Sequence, residues 1–297
     1  MTGLLTQRVA IVTGAGRGLG RAHALALAGS GARIVVNDLD AASASQVCEE
    51  IVRSGGEALA STANVQDVRA VDGMVALALS RWGRVDILVN NAGILRDRTF
   101  AKLDLADFRL VLDVHVMGSV NCTKALWSHM KERGYGRIIF TTSSSGLYGN
   151  FGQAAYSAAK MALVGLMQTL ALEGARHGIH VNCIAPSAAT QMTSDLWSPE
   201  DLAALAPQRV SPAVVALASE AAPNKRVVLA GAGSIKLANV TMTRGIYLAD
   251  DRLSAEEILT QWNRIGDRAG ELVPATGSEQ YRFEAEQTRA GAPDRKA

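Results

Sequence analysis

The sequence is poor in the residues that mark nucleic-acid binding. Only 5% of its 297 residues are aromatic, and 30 lysines and arginines stand against 28 aspartates and glutamates, which gives a formal net charge of +2. A nearly balanced charge without a basic block makes no electrostatic case for binding a phosphate backbone, and few aromatic side chains are available to stack on bases. We therefore expect no nucleic-acid partner.

Cysteine and histidine are also scarce. Cys48, Cys122 and Cys183 have no C-x-x-C spacing and the five histidines do not cluster, so we expect reduced thiols and no metal site. The first residues lack the apolar core of a signal peptide, and the most apolar long run, at 161–172, is short for a bilayer span and predicts a buried helix. These features predict a cytoplasmic protein without a membrane partner.

The rest of the sequence alternates short apolar, β-branched runs with helical segments. We predict strands at 8–13, 32–38, 57–62, 85–90, 137–142, 179–184 and 226–230, with helices between them. This alternation predicts an α/β fold, a single Rossmann-like, doubly wound parallel sheet of about seven strands with helices on both faces. We assign residues 1–250 to this domain, and 251–297 to a C-terminal helix at 254–265 followed by an irregular polar tail.

A glycine-rich turn joins the first predicted strand to the first predicted helix and contains Gly14, Gly16, Arg17, Gly18, Leu19 and Gly20. Glycine at such a turn lets backbone N–H groups approach a pyrophosphate at the positive end of the helix. The spacing is not G-x-G-x-x-G, so the turn alone is equally consistent with a structural loop. Its position between strand and helix favours a dinucleotide site, which makes 1–250 a candidate dinucleotide-binding catalytic domain.

Asp38 ends the second predicted strand, at the distance from the glycines where an acid meets the adenosine ribose. A carboxylate there accepts hydrogen bonds from the 2′-hydroxyl and repels a 2′-phosphate, which favours NAD over NADP. Arg17 in the glycine turn argues mildly for NADP. Further predicted cofactor contacts follow the third and fourth strands and are Asn64, Val65, Asn91, Ala92 and Gly93. Asn64 is equally well explained as a turn residue.

Tyr156 and Lys160 lie four residues apart on a predicted helix at 153–176, so both side chains share one face. A tyrosine loses its proton at roughly pH 10, and a fixed cation beside it would lower that pKa towards the neutral range. Ser143 directly follows the predicted strand at 137–142, within reach of the same substrate oxygen. Because this spacing also occurs by chance in many helices, the pair is specific only together with a dinucleotide site.

Taken in order, these motifs resemble those of the short-chain dehydrogenase/reductase family over about the first 250 residues. The residues that carry the resemblance are Thr13, Gly14, Gly18, Gly20, the run Asn90-Asn91-Ala92-Gly93, Ser143, Tyr156 and Lys160. The resemblance implies that Tyr156 is the general acid/base, that Lys160 lowers its pKa and holds the nicotinamide ribose, and that Ser143 orients the substrate oxygen.

A narrower similarity lies in four runs, Val36-Asn37-Asp38-Leu39, Asp113-Val114-His115, Gly146 to Gln153 and Ile184-Ala185-Pro186. In these runs the chain resembles the (3R)-hydroxyacyl-CoA dehydrogenase unit of peroxisomal multifunctional enzymes of type 2. His115, in a predicted long helix at 104–133, stands where the family usually has a catalytic asparagine. The resemblance implies that the imidazole or a bound water completes a proton relay behind Lys160; the alternative is a packed core histidine. Pro186 and Thr190 match the segment that contacts the nicotinamide, although Thr190 comes one residue early.

These residues predict an NAD-dependent oxidoreductase that interconverts a secondary alcohol and a ketone, with a 3-hydroxyacyl thioester or a hydroxysteroid as favoured substrate. The alternative is a non-catalytic NAD-binding regulator on the same fold, which would not need Ser143, Tyr156 and Lys160. The buried helices at 104–133 and 153–176 predict a homodimer or homotetramer. An apolar lid over the site is predicted from Met192, Leu196, Trp197 and Leu202.

Overall fold

The central strands of the sheet are short, apolar and buried along their whole length. The computed structural model describes residues 3–188 and 204–291 of the chain. Its strands are β1 (Val9–Thr13), β2 (Arg33–Asn37), β3 (Ala58–Ser61), β4 (Ile87–Asn90), β5 (Gly136–Thr141), β6 (Ile179–Pro186), β7 (Val227–Gly231) and β8 (Ser234–Ala238). Every residue of β1, β4 and β5 is buried, which is the pattern of parallel strands covered by helices on both faces.

The strand order is β3-β2-β1-β4-β5-β6-β7-β8, and neighbouring strands from β3 to β7 are parallel. The order reverses between β1 and β4. Their carboxyl ends therefore border the crevice in which doubly wound sheets bind ligands. The prediction of a doubly wound parallel sheet is confirmed.

The structure adds an eighth strand to the seven that the sequence predicts. β8 is antiparallel to β7 and joined to it by a two-residue turn in which Ala232 and Gly233 have φ values of 51° and 80°. Two positive φ values are those that a type I′ hairpin turn requires. β8 is exposed along nearly all of its length, so its sequence lacks the buried apolar run by which the other strands are recognised.

The α-helices that the structure describes up to residue 238 are α1 (Gly18–Gly29), α2 (Ala41–Arg53), α3 (Val68–Trp82), α4 (Leu105–Leu112), α5 (Gly118–Glu132), α6 (Ser144–Tyr148), α7 (Ala154–Gly174) and α8 (Ser211–Ala218). α1, α2 and α8 bury Leu27, Val47 and Val214 in a core on one face of the sheet. α3, α5 and α7 cover the other face, where Leu126 and Val164 are buried. Helices on both faces are what the sequence predicts.

The predicted helix at 104–133 is interrupted. α4 ends at Leu112, a π-helical turn covers Asp113–Met117, and α5 begins at Gly118. A π turn accommodates an extra residue and often marks a functional site, because it changes the direction of the side chains within it. His115 lies in the middle of this turn.

α7 contains the predicted Tyr156–Lys160 pair. By length and composition alone, the segment Ala154–His177 is apolar enough to cross a membrane, with a mean hydropathy of 1.2. The core helix of a globular domain has the same properties, and Leu163, Val164 and Met167 of α7 are buried in the core on one face of the sheet. The predicted apolar run at 161–172 is therefore a helix with one buried face.

The chain divides into two compact units, Met1–Ala238 and Asn239–Ala297. The second contains α9 (Ala255–Thr260), α10 (Trp262–Ile265) and α11 (Ser278–Gly291). The prediction of an irregular tail is wrong over α11, because its Glu, Gln, Arg and Ala residues favour helix and Gln280 donates to Glu284 one turn on, at 2.9 Å. The domain boundary at 250 stays a prediction.

Candidate active site

The glycine turn is shaped by close backbone approaches. Gly14 has a φ of 61°, and a Cβ on Gly20 would lie 2.1 Å from the carbonyl oxygen of Gly14. The side-chain amide of Asn91 donates to the carbonyl oxygens of Thr13 (3.0 Å) and Gly14 (3.1 Å). α1 begins at Gly18 with no acidic side chain in its first turn, which leaves its N–H groups for an anion. The turn fits the pyrophosphate of a dinucleotide.

Asp38 is fixed beside this turn. Its carboxylate accepts hydrogen bonds from the backbone N–H groups of Gly16 at 2.9 Å and Asp40 at 3.1 Å. A Cβ on Gly16 would lie 2.9 Å from the carboxyl carbon of Asp38, so glycine permits this approach. Arg17 is exposed and extended just before α1, while Leu19 packs against the core. The geometry is that expected for an acid facing the adenosine ribose.

The carboxyl ends of β1 and β4 are joined by hydrogen bonds. The hydroxyl of Thr13 accepts from the backbone N–H groups of Asn91 and Ala92, both at 3.0 Å. Gly93 follows, and a Cβ on it would lie 2.2 Å from Cε1 of His115. The predicted contacts after β4 therefore lie where the strand order reverses.

The other predicted cofactor residues have additional structural roles. Asn64 accepts a hydrogen bond from the backbone N–H of Gln66 at 3.0 Å, which is the turn role given above as its alternative. The Val65 side chain is buried, and its carbonyl oxygen accepts from the Asn121 amide at 2.9 Å. Pro186 ends β6. Outside the described residues lie Thr190 and the predicted lid residues Met192, Leu196, Trp197 and Leu202.

Ser143, Tyr156 and Lys160 come from neighbouring elements and meet. Ser143 follows β5, caps α6 by accepting from the N–H of Ser145 at 3.2 Å, and hydrogen-bonds the Tyr156 side chain. Tyr156 and Lys160 occupy the first two turns of α7, and Nζ of Lys160 lies 5.4 Å from the centroid of the Tyr156 ring. The structure thus brings the three predicted groups together.

Lys160 is almost fully buried, with 3% of its surface exposed. Its Nζ donates to the carbonyl oxygen of Thr141, the last residue of β5, at 2.6 Å, and the Thr142 hydroxyl donates to the Lys160 carbonyl oxygen at 2.6 Å. Burial lowers the pKa of Lys160 from 10.5 to about 7, against a smaller raising effect of the Cys183 thiol. Lys160 therefore gains and loses a proton near neutral pH.

The Tyr156 phenol differs from what the sequence predicts. Burial raises its pKa above the ordinary value of 10; the hydrogen bond with Ser143 lowers it, and the carboxylate of Asp97 raises it. The predicted lowering of this pKa by Lys160 is wrong, because desolvation of the phenolate outweighs the lowering effect of the Ser143 hydrogen bond and Lys160 is itself easily deprotonated. The two groups are adjacent, but the site keeps the phenol protonated.

His115 is buried beside the phenol. The His115 and Tyr156 rings meet edge to face with centroids 5.4 Å apart. Nε2 of His115 lies 3.0 Å from the backbone nitrogen of Ile94 and 2.8 Å from its carbonyl oxygen, so either tautomer makes one hydrogen bond. Burial, and then the charge of Lys160, lower its pKa to about 3. Nδ1 is buried and has no partner among the described residues, so the neutral ring offers one free nitrogen.

Sequence reasoning missed two polar residues near Tyr156. Gln153 donates from Nε2 to Oδ2 of Asp97 at 2.6 Å, and Asp97 acts electrostatically on the phenol. Gln153 sits three residues before Tyr156, which was a local signal. Asp97 lies in the loop after β4, and no sequence pattern places that loop against the start of α7.

A doubly wound sheet with a dinucleotide turn at its switch point, and a tyrosine and buried lysine beside it, is the architecture of nicotinamide-dependent oxidoreductases. The sequence model of the short chain dehydrogenase family matches residues 8–201. The chain belongs to this family and is an oxidoreductase, as the motifs predict.

Curated relatives agree with this assignment. Mouse peroxisomal multifunctional enzyme type 2 is 44% identical over 282 residues, which are 91% of this chain and 38% of that enzyme. A 3-oxoacyl-[acyl-carrier-protein] reductase from Synechocystis is 46% identical over 194 residues, 65% of this chain and 78% of the reductase. The chain thus spans well under half the length of the mouse enzyme.

Solved structures give the same relationships. The full-length peroxisomal multifunctional enzyme type 2 of Drosophila melanogaster matches with a TM-score of 0.82 and 37% identity, over 96% of this chain and 50% of that one. A 7α-hydroxysteroid dehydrogenase complexed with NADH and 7-oxo glycochenodeoxycholic acid matches with a TM-score of 0.73 and 30% identity, over 78% of this chain and 96% of that one. The resemblance read from the sequence is confirmed.

Proposed function

We propose that the chain interconverts a 3-hydroxyacyl thioester and the corresponding 3-oxoacyl thioester, with NAD as cofactor. The observation that carries this proposal is the meeting of Ser143, Tyr156 and Lys160 beside the crevice at the carboxyl ends of the strands. The likeness to a 3-oxoacyl reductase supports an acyl substrate. The likeness to a hydroxysteroid dehydrogenase supports a hydroxysteroid as the second candidate.

Tyr156 is assigned the proton transfer. In ketone reduction its phenol gives a proton to the carbonyl oxygen, and in alcohol oxidation its phenolate takes the proton back. Ser143 hydrogen-bonds the same substrate oxygen and fixes its position. A bound nicotinamide gives or receives the hydride. Because burial holds the phenol protonated, the site favours the donor role, which is that of ketone reduction.

Lys160 and His115 are assigned the proton supply behind the tyrosine. Lys160 holds the nicotinamide ribose and, with a pKa of about 7, re-protonates the phenolate at neutral pH. His115 stays neutral at that pH and has a free Nδ1. We infer that this nitrogen, or a water bound to it, connects Lys160 to solvent.

Asp38 supports NAD as the preferred cofactor. The two backbone N–H groups that fix its carboxylate leave lone pairs on both oxygens for ribose hydroxyls, and its negative charge disfavours a 2′-phosphate. Exposed Arg17 is the feature that favours NADP. A ratio of kcat/KM above about tenfold for NAD over NADP is the expected result, and a ratio below one would reverse the assignment.

One activity assay with a panel of substrates tests the proposed function. The purified chain is given NADH with 3-oxoacyl-CoA substrates of several lengths and with 3-, 7- and 17-oxosteroids, and loss of NADH absorbance is followed; the reverse reaction uses NAD and the alcohols. We expect turnover of the thioesters. Turnover of steroids alone would support the second candidate, and cofactor binding without any turnover would support the non-catalytic NAD-binding regulator.

We also propose a cytoplasmic homodimer or homotetramer. Three cysteines are free thiols, which suits a reducing compartment. The apolar side chains of Leu105 on α4 and Met117 in the π turn are 67% and 47% exposed, and a second copy would cover them. Sedimentation velocity is expected to give a dimer or tetramer, and a monomer at all concentrations would remove this proposal.

A further inference from the structure

Two loops meet beside Tyr156 through a polar contact that the proton-transfer roles do not use. One loop follows β4 and contains Asp97 and Arg98; the other, at 149–153, precedes α7. The backbone N–H of Arg98 donates to the carbonyl oxygen of Gly152 at 2.9 Å, and Arg98 and Gln153 form an isolated parallel bridge. Asp97 is thereby held against the residue that begins α7.

Side-chain hydrogen bonds also join the two loops. Nε2 of Gln153 donates to Oδ2 of Asp97 at 2.6 Å, and Nδ2 of Asn150 donates to Oε1 of Gln153 at 3.0 Å. Gln153 occupies the N-cap position of α7 but its side chain makes no capping hydrogen bond. Its oxygen accepts from Asn150 instead, and its Nε2 donates to Asp97. The carboxylate therefore has a fixed position relative to the helix that carries Tyr156.

Within residues 3–188 and 204–291, few ionisable groups face the phenol. They are Lys160 on the same helix, with Cys183 of β6 behind it, neutral His115 of the π turn, and Asp97. Asp97 is exposed to solvent, and among the described residues it is the carboxylate that acts on the phenol. A nearby negative charge disfavours phenolate, so this contact contributes to the protonation state of Tyr156, in the same direction as burial, as well as to the loop geometry.

We propose that Asp97 and Gln153 form a clasp that positions the two loops beside Tyr156, and that the charge of the Asp97 carboxylate, held there by the clasp, adds to the burial that disfavours the Tyr156 phenolate. Asp97 is a positioning residue, since it acts through Gln153 and through its charge. The catalytic meaning of the clasp rests on the proposed function.

The test removes the charge of the Asp97 side chain and keeps its shape. Asp97→Asn can still accept the Gln153 hydrogen bond. Its matched control is Asp107→Asn, which removes a carboxylate of α4 that pairs with Arg96 at 3.4 Å and is not among the groups that act on Tyr156. Tyrosine Cζ carbons are labelled with carbon-13, and Tyr156→Phe identifies the resonance. Its titration is followed by NMR in the protein alone, so the readout does not depend on the substrate.

In Asp97→Asn the Tyr156 resonance is expected to titrate lower by about 0.2–0.7 pH unit, the effect of one exposed charge, with Asp107→Asn matching the wild type. The pH profile of alcohol oxidation should shift in the same direction. The shift should shrink between roughly 0.01 M and 0.5 M salt, because salt screens exposed charges. Equal midpoints in wild type and Asp97→Asn, or equal shifts in both variants, would overturn the proposal even if the thioester activity is found.

Discussion

At the scale of single residues, the site places a lysine where it destabilises the fold. Lys160 is buried with one hydrogen bond from its ammonium, to the Thr141 carbonyl oxygen, and its pKa of about 7 records how strongly burial disfavours the charge. An isolated buried charge is costly, so such a residue is kept for function rather than for stability.

Replacing Lys160 by Met should therefore stabilise the protein and inactivate it. In the unfolded chain the lysine keeps its proton up to pH 10.5, and in the folded chain only up to about 7. The free-energy cost of burying the charged lysine is therefore at its full value below pH 7, and it decreases as the pH rises from 7 to 10.5. Chemical denaturation at pH 6 should show a gain of about 1–3 kcal/mol in the free energy of unfolding.

The same measurement at pH 10 should show a smaller gain. Lys124→Met, at an exposed position on α5, is the control and should change stability little at either pH. A loss of stability in Lys160→Met at pH 6 would mean that the ammonium is stabilised in the fold, contrary to its burial.

Gly93 is required by the position of His115. A Cβ on Gly93 would lie 2.2 Å from Cε1 of the imidazole, so Gly93→Ala must displace the ring or the loop. We expect a loss of about 1–3 kcal/mol in unfolding free energy and a fall in kcat. Gly73→Ala in α3, where a Cβ meets nothing within 4 Å, should instead stabilise by about 0.5–1 kcal/mol. Equal effects of the two substitutions would contradict the packing described for His115.

At the scale of elements, the sequence predicts what is periodic and misses what depends on contacts. The strands β1, β4 and β5 and helix α3 are recognisable as buried runs and as an amphipathic helix with clear ends. The π turn at Asp113–Met117 is not, because its extra residue fits only when His115 packs against Ile94 and Gly93. β8 is missed for a different reason, since its apolar residues Ile235 and Leu237 are exposed and form no buried run.

The contact between α1 and α8 predicts acid sensitivity. His23 of α1 is fully buried, with Nδ1 2.9 Å from the Ser211 hydroxyl of α8, and burial lowers its pKa from 6.5 to about 4. Below pH 6.5 the unfolded chain gains this proton and the folded one does not, so stability falls as pH falls from 6.5 to about 4. The loss from this residue should be about 2–3 kcal/mol.

Thermal unfolding of His23→Leu at pH 7 and pH 4.5 tests this. The fall in midpoint between the two pH values should be smaller than in the wild type, while His177→Leu, at a half-buried position outside the α1–α8 contact, should stay close to the wild type. If His23→Leu is as acid-sensitive as the wild type, the α1–α8 contact does not carry the effect.

At the scale of the whole molecule, the parallel strand order brings together residues that are far apart in sequence. Thr13, Asn91 and Ser143 lie at or just after the carboxyl ends of strands, and Tyr156 lies in the first turn of α7, which begins at the same edge of the sheet. That gathering could be predicted, because parallel strands share a direction. The burial that raises the Tyr156 pKa could not, since it depends on how tightly the π turn, the loop with Asp97 and α7 close around the phenol.

The central claim is that Tyr156 transfers the proton in a site that binds the cofactor independently of it. Tyr156→Phe removes one oxygen and keeps the ring against His115. The most direct measurement is the single-turnover rate of 3-oxoacyl thioester reduction, together with the Kd for NADH from fluorescence titration. We expect the rate to fall at least about 10³-fold with Kd changed less than about threefold. A variant that binds NADH and reduces the thioester at a rate close to that of the wild type would contradict the claim.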